Sequence, residues 1–144
     1  MDIIISYNNN EMVKVIPVIP PIIEVEDSQG NSDMDTFSGP VRLIGNKGLK
    51  RLSWSSIFPN RYLPFMRPGS VFVAKEYLAF FEAAWERKIP FRVIILYKNH
   101  KTNIACTVDS LSWHVDKAGD VAYSISITEF KFVQAQKMDK RLDL

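Results

Sequence analysis

A single cysteine, Cys106, and two histidines, His100 and His114, supply all the thiol and imidazole in this 144-residue chain. One thiol cannot form an intramolecular disulfide, and one Cys with two His cannot complete a structural zinc site. Glycine is scarce, and Gly45-Asn46-Lys47-Gly48 reads as a turn with no helix behind it, which excludes a phosphate-binding loop. No apolar run approaches the roughly 18 residues of a membrane span. The opening Met1-Asp2-Ile3-Ile4-Ile5 lacks the basic start of a secretory leader. The chain is therefore expected to work without membrane, cofactor or metal, inside a cell or inside something assembled there.

Acidic residues are missing from one long stretch. Between Thr36 and Lys75 lie seven cations (Arg42, Lys47, Lys50, Arg51, Arg61, Arg67 and Lys75) and no Asp or Glu, so with a whole-chain charge of +2 the remainder is net −5. Segregation of this kind can set opposite charges on different faces, which suits docking against a neighbour or a polyanion. Independently solvated lysines and arginines are the competing reading. The acids elsewhere cluster at 24–35 and 109–129, with no spacing that forces two carboxylates together. Cys106 shares the apolar parity of Ile104 and Val108, as a core thiol would, while His100 falls in a turn and His114 on a polar strand face. No catalytic residue is assigned, and the chain reads as a non-enzyme.

What is present is enough for one core: 47% of residues are hydrophobic, 24% are charged, and a chain of this length buries about 70% of its unfolded surface. β-Branched residues at 3–7 and 12–16 flank a run of asparagines, predicting a β-hairpin. Pro17, Pro20 and Pro21 force an extended passage, after which 22–26 resumes as a short strand. Residues 27–40 have only Met34 and Phe37 to bury and predict a long mobile loop. A strand over 49–58 puts Leu52 and Trp54 on one face. Residues 59–70, with three prolines around Tyr62, Phe65 and Met66, predict a second long loop that lies flat on the domain or inserts into another subunit.

One helix is predicted at 75–88, with Leu78, Phe81 and Trp85 as its apolar stripe and Tyr77 and Ala84 flanking. Phe91–Tyr97 hardly alternates, predicting a central strand buried on both faces. The apolar parity of Ile104, Cys106 and Val108 slips by one before Leu111, Trp113 and Val115, which a β-bulge near Asp109-Ser110 explains. A further flip at Phe130 and Phe132 suggests a second bulge or a change of sheet. The fold class is α+β, mainly β: an antiparallel sandwich or barrel with one flanking helix. It is expected as a single domain over 1–133 with a frayed charged tail at 134–144.

Taken in order, several patches resemble a known family. Gly39-Pro40-Val41-Arg42-Leu43-Ile44-Gly45, then Ser53-Trp54-Ser55-Ser56-Ile57-Phe58-Pro59 and Tyr62-Leu63-Pro64-Phe65, are similar to the phage tail proteins of the XkdP type, baseplate components of contractile tails such as PBSX. The similarity continues through Pro90-Phe91-Arg92-Val93-Ile94-Ile95, Val108-Asp109-Ser110-Leu111-Ser112-Trp113 and Gly119–Phe130. Ending at Leu144, the chain has no room for the LysM module many of these proteins carry, so peptidoglycan binding is not carried over.

The resemblance implies a tail-tube-like β domain forming a ring at the tube–baseplate junction, six copies closing through sheet edges. Tube and baseplate proteins would be its partners, and DNA could pass through the lumen without specific binding. The setting would be the virion, and the bacterial host cytoplasm during assembly. Phe37, Tyr62, Phe65 and Met66 become candidate interface anchors, with Arg42, Lys50, Arg51, Arg61 and Arg67 beside them. The alternative is a β-barrel that binds single-stranded nucleic acid or a small ligand through Arg51, Trp54 and their neighbours. A tail-borne cell-wall hydrolase lacks any candidate catalytic pair.

Overall fold

The computed structural model describes residues 1–7 and 11–132. Strands β1 (Asp2–Tyr7) and β2 (Met12–Val15) form the predicted first hairpin, with Tyr7 opposite Met12 and Ile5 opposite Lys14. Their connection, 8–10, lies outside the described residues, as does the tail expected at 134–144. Then come β3 (Ile23–Glu26), β4 (Ser32–Thr36), β5 (Gly39–Leu43), β6 (Arg51–Phe58), the helix α1 (Ala74–Arg87), β7 (Phe91–Tyr97), β8 (His100–Val115) and β9 (Val121–Glu129).

Seven strands make one antiparallel sheet in the order β2-β1-β7-β8-β9-β6-β3, and β4 and β5 pair only with each other. The long strand β8 joins two halves. As far as Cys106 it pairs with β7, and from Cys106 onward it pairs with β9 on its other side. The register slips between Val108 and Ser110, where the parity change demands an extra residue. The border strands β2 and β3 do not pair with each other, so the sheet is open and not a closed barrel.

One face of the sheet carries the core. Ile3, Ile5 and Tyr7 of β1, Phe91, Val93 and Ile95 of β7, Leu52, Trp54 and Phe58 of β6 and the odd residues 121–127 of β9 are buried beneath α1. Phe58 lies between the rings of Tyr123 and Tyr77, at centroid distances of 3.9 and 4.8 Å and near-parallel to both. Phe80, Phe81 and Phe91 meet edge to face. The buried stripe of α1 is Tyr77, Phe80, Phe81 and Ala84, rotated from the predicted one. Trp85 is partly exposed and donates its Nε1–H to the Val108 carbonyl at 3.2 Å. Strand β7 is buried on one face only: Phe91, Val93 and Ile95 face the helix, while Arg92 and Leu96 on the other side are exposed. Strand β9 stops at Glu129, so the flip at Phe130 marks a strand end and not a second bulge.

Remote polar groups hold the helix start. Val73, at the N-cap, offers no side-chain acceptor, and the Ala74 amide donates instead to Asn60 Oδ1 at 2.9 Å. Asn60 donates its own amide to the buried Asp120 carboxylate at 3.0 Å, and Arg61 Nε reaches the same group at 3.3 Å. The Tyr77 hydroxyl accepts from the Val71 amide and donates to the Val15 carbonyl at 2.7 Å, with burial pushing its titration upward.

At the start of β1, Arg67 Nε donates to Asp2 Oδ1 at 2.6 Å, and this hydrogen bond holds the Asp2 carboxyl below its ordinary value. A carboxylate depressed in the folded state contributes stability above its unfolded value, and that contribution is lost as pH falls through the folded value. Asp2→Asn is accordingly expected to lower the melting temperature at neutral pH. The difference should close as pH drops below 3.8, the ordinary aspartate value, in a calorimetric pH series. A difference that persists undiminished in acid would remove this role.

Candidate assembly surface

The stretch expected as a loop over 27–40 is instead part of a β-arm. Strands β3 and β6 pair at the sheet border, Glu26 opposite Arg51, and the chain runs outward from both. A narrow neck follows, in which the Gly48 amide donates to the Ser28 carbonyl at 2.7 Å and the Gly30 amide to the Asn46 carbonyl at 2.9 Å. Beyond the neck, β4 and β5 pair from Ser32–Leu43 out to Thr36–Gly39. Gly45 is required where the two passages cross, since a Cβ there would overlap the Gly30 carbonyl. Gly39, at φ +113°, closes the tip turn beside Phe37.

The arm is two-faced. Met34, Val41 and Leu43 share one side and are all substantially exposed, while the Asp33–Arg42 ion pair at 2.9 Å occupies the other. Phe37 stands fully exposed at the tip. A two-stranded ribbon of this kind is marginal in water on its own. Sequence alone missed β4 because Ser32-Asp33-Met34-Asp35-Thr36 has a single apolar residue and weak strand propensity, whereas Val41–Ile44 already read as extended.

The second predicted loop leaves the opposite end of β6, about 23 Å along an eight-residue strand. Tyr62 and Phe65 are well exposed there, and Phe72 is half exposed nearby. Met66 is turned inward, its Sδ accepting from the Leu63 amide. Arg67 is tied to Asp2, and its amide to the Pro17 carbonyl, so it acts as a staple within the chain.

The charge segregation read from sequence does not persist in space. Five of the seven cations between Thr36 and Lys75 close ion pairs with acids outside that stretch: Arg42 with Asp33, Lys47 and Lys50 with Asp27, Arg61 with Asp120 and Arg67 with Asp2. Arg51 sits on the exposed face at the start of β6. Trp54, offered for base stacking in the nucleic-acid alternative, is buried and donates its Nε1–H to the Tyr123 hydroxyl at 3.0 Å, out of reach of a ligand. Cys106 is fully buried, its thiol pushed up to about 12 by burial, and His100 and His114 are exposed on β8. Among the described residues no helix is long and apolar enough to cross a membrane.

Two borders of the half-sheet β8-β9-β6-β3 are open. Among the described residues no strand pairs with the outer side of β3, nor with the side of β8 away from β9 beyond Cys106. On the helix side these borders carry Val25 on β3 and Trp113 and Val115 on β8, each about half exposed. The opposite face is made of serines. Three Ser-x-Ser pairs, 53/55, 110/112 and 124/126, lie on adjacent strands, each around an inward residue (Trp54, Leu111 and Ile125). That repeat stands in the sequence and is the signal by which this face could have been found.

Mainly β, with one helix and antiparallel sheets among the described residues, the fold is shared with chains of gene transfer agent (GTA) particles. A chain from the tail of an empty GTA particle with C6 symmetry superposes with a TM-score of 0.58 at 11% identity, covering 93% of each chain. A chain from the virion of a native gene transfer agent gives 0.54 at 11% identity, over 91% of this chain and 92% of that one. At such identities the likeness is one of fold. No family model matches. In sequence, the uncharacterized protein YqbP of Bacillus subtilis (strain 168) is 25% identical over 129 residues, covering 88% of this chain but 58% of that protein. The chain thus spans less than two thirds of this relative.

Proposed function

We propose that the chain is a non-enzymatic structural subunit of a phage tail or related contractile injection particle, of the XkdP type, and that copies of it close a ring at the tube–baseplate junction. The observation that carries this reading is the pair of open borders on one half-sheet. Its four strands alternate in direction, so β3 of one copy can add to β8 of the next as an antiparallel neighbour, and the joined sheet keeps its apolar side and its serine side continuous. The two borders differ, as a heterologous contact that closes by rotation requires. The tail fold of the GTA chain, from a particle with C6 symmetry, supports a six-fold ring.

In this reading the β-arm and the 59–70 loop, at opposite ends of β6, reach the proteins above and below. Phe37, Tyr62 and Phe65 are their anchors, with Arg42, Lys50, Arg51 and Arg61 around them. Met66 and Arg67 support the second loop from within. The subunit resides in the virion, assembles in the bacterial host cytoplasm, and surrounds a passage that DNA can traverse without specific binding.

Purification of tail particles from cells expressing a tagged chain tests the proposal. The chain is expected to cosediment with tails, and Tyr62→Ser with Phe65→Ser is expected to reduce its incorporation and the infectivity of the particles about tenfold or more. A chain that stays in the soluble fraction would overturn the structural role, and undiminished incorporation of the double variant would remove the anchors.

A further inference from the structure

Three cations gather on the other half-sheet, β2-β1-β7 with the first part of β8. Arg92 on β7, Lys101 on β8 and Lys131 just past β9 are exposed, and among the described residues none of them closes an ion pair. Arg92 and Lys101 stand on the face away from the helix, in register with Ala105 and Leu96, and Arg92 Nη1 donates to Asn103 Oδ1 at 3.3 Å. Phe130 and Phe132, both exposed, meet edge to face at 5.0 Å. With Arg92, Lys131 and residues 103–105 they line a groove of about 490 Å³. Glu129 also lines it, and its Oε1 is engaged by the Lys50 amide at 3.1 Å.

The first part of β8 is also a bare border. Pairing with β9 begins at Cys106, and the Phe130 amide donates to the Ala105 carbonyl at 2.7 Å. Among the described residues no backbone hydrogen bond is made on this side before Ala105. Antiparallel alternation therefore turns the amides and carbonyls of Asn103 and Lys101 outward. From His100 to Ile104 the border offers five residues, about 17 Å, to an added strand.

We propose that this border and groove take an acid-rich extended segment of a partner protein, which adds as a strand antiparallel to β8 and alternates carboxylates with apolar side chains. Its carboxylates lie on the side of Arg92 and Lys101, and its apolar residues on the side of Ile104, which packs against the core. Main-chain hydrogen bonds supply affinity and the alternate side chains specificity. Opposite charges facing one another across strands add to both. A nucleic acid would meet the cations but leave the strand border unpaired. Residues 133–144 carry Lys137, Lys140 and Arg141 against Asp139 and Asp143, so they bring excess positive charge to a positive face. The surface is separate from the two borders through which copies would join in the ring, so the isolated chain can be tested.

Fluorescence anisotropy of a fluorescein-labelled eight-residue peptide alternating Glu and Val is the test. The peptide is expected to bind the full chain, more weakly as salt is raised. Lys101→Glu with Lys131→Glu should weaken binding about tenfold and favour a peptide alternating Lys and Val instead, with circular dichroism matching the parent. N-methylation of the Glu amides should cost about tenfold and N-methylation of the Val amides little, because residues opposite Lys101 and Asn103 turn their amides toward β8. Absence of binding, indifference to methylation of the Glu amides, or tighter binding of a thymidine oligonucleotide or of a peptide copying residues 133–144 would each overturn the proposal.

Discussion

In the proposed ring, replacing Trp113 and Val115 with lysine is expected to separate the copies into monomers while leaving each monomer folded. Both residues lie on the last part of β8, about half exposed, on a border that no described strand covers. In the joined sheet they would lie beside Val25 and Ile23 of the next copy, so each contact loses one large and one medium apolar side chain. Burial of such a pair contributes about 3–4 kcal/mol, a factor of about 10² to 10³ in association. Lysine on a sheet border also opposes strand addition directly. The cost to the monomer should be small, because neither side chain lies in the buried core. Sedimentation velocity should show the ring-sized boundary replaced by a monomer boundary, with circular dichroism unchanged. Rings that persist would show that β8 is not the joining border.

Phe58→Ala is expected to destabilise the monomer by about 3–5 kcal/mol, the cost of deleting a fully buried aromatic ring. For a chain of this size that lowers the melting temperature by about 10 °C or more. The position is unusually exacting because Phe58 fills the gap between Tyr123 on β9 and Tyr77 on α1. Its loss would leave a cavity where sheet and helix meet, and Tyr77 also tethers the 71–73 entry to the helix and the end of β2. Phe58→Leu should recover much of the loss. Urea unfolding with an unchanged slope but a lower midpoint would report this effect, and a midpoint within error of the parent would rule out the aromatic stack as the joint between layers.

Periodicity disclosed much of the sheet. Alternation placed Leu52 and Trp54 inward, and the slip between Val108 and Leu111 located the bulge, because a one-residue shift exchanges the two faces of a strand. The arm escaped notice because neither of its faces is buried within one chain, so β4 carries no hydrophobic pattern to detect. Trp85 was misplaced for a related reason: apolar spacing gives a helix stripe, but the partner sheet decides which side of that stripe is covered. The serine face went unread although three Ser-x-Ser pairs stand in the sequence, because a repeat of small polar residues carries no energetic signature of its own. Its meaning lies in three strands distant in the chain meeting in register.

By itself the sequence determined a mainly β domain with one helix, a core-facing thiol with no second cysteine to pair with, and the inward sets of its longest strands, since these follow from local hydrophobic period and residue count. The tertiary structure alone decided that five cations of the acid-free stretch would meet acids from elsewhere, that Trp54 would be sealed in the core, and that a four-stranded half-sheet would keep both borders open. Those outcomes depend on which distant segments become neighbours, and that is set by burying one common apolar face.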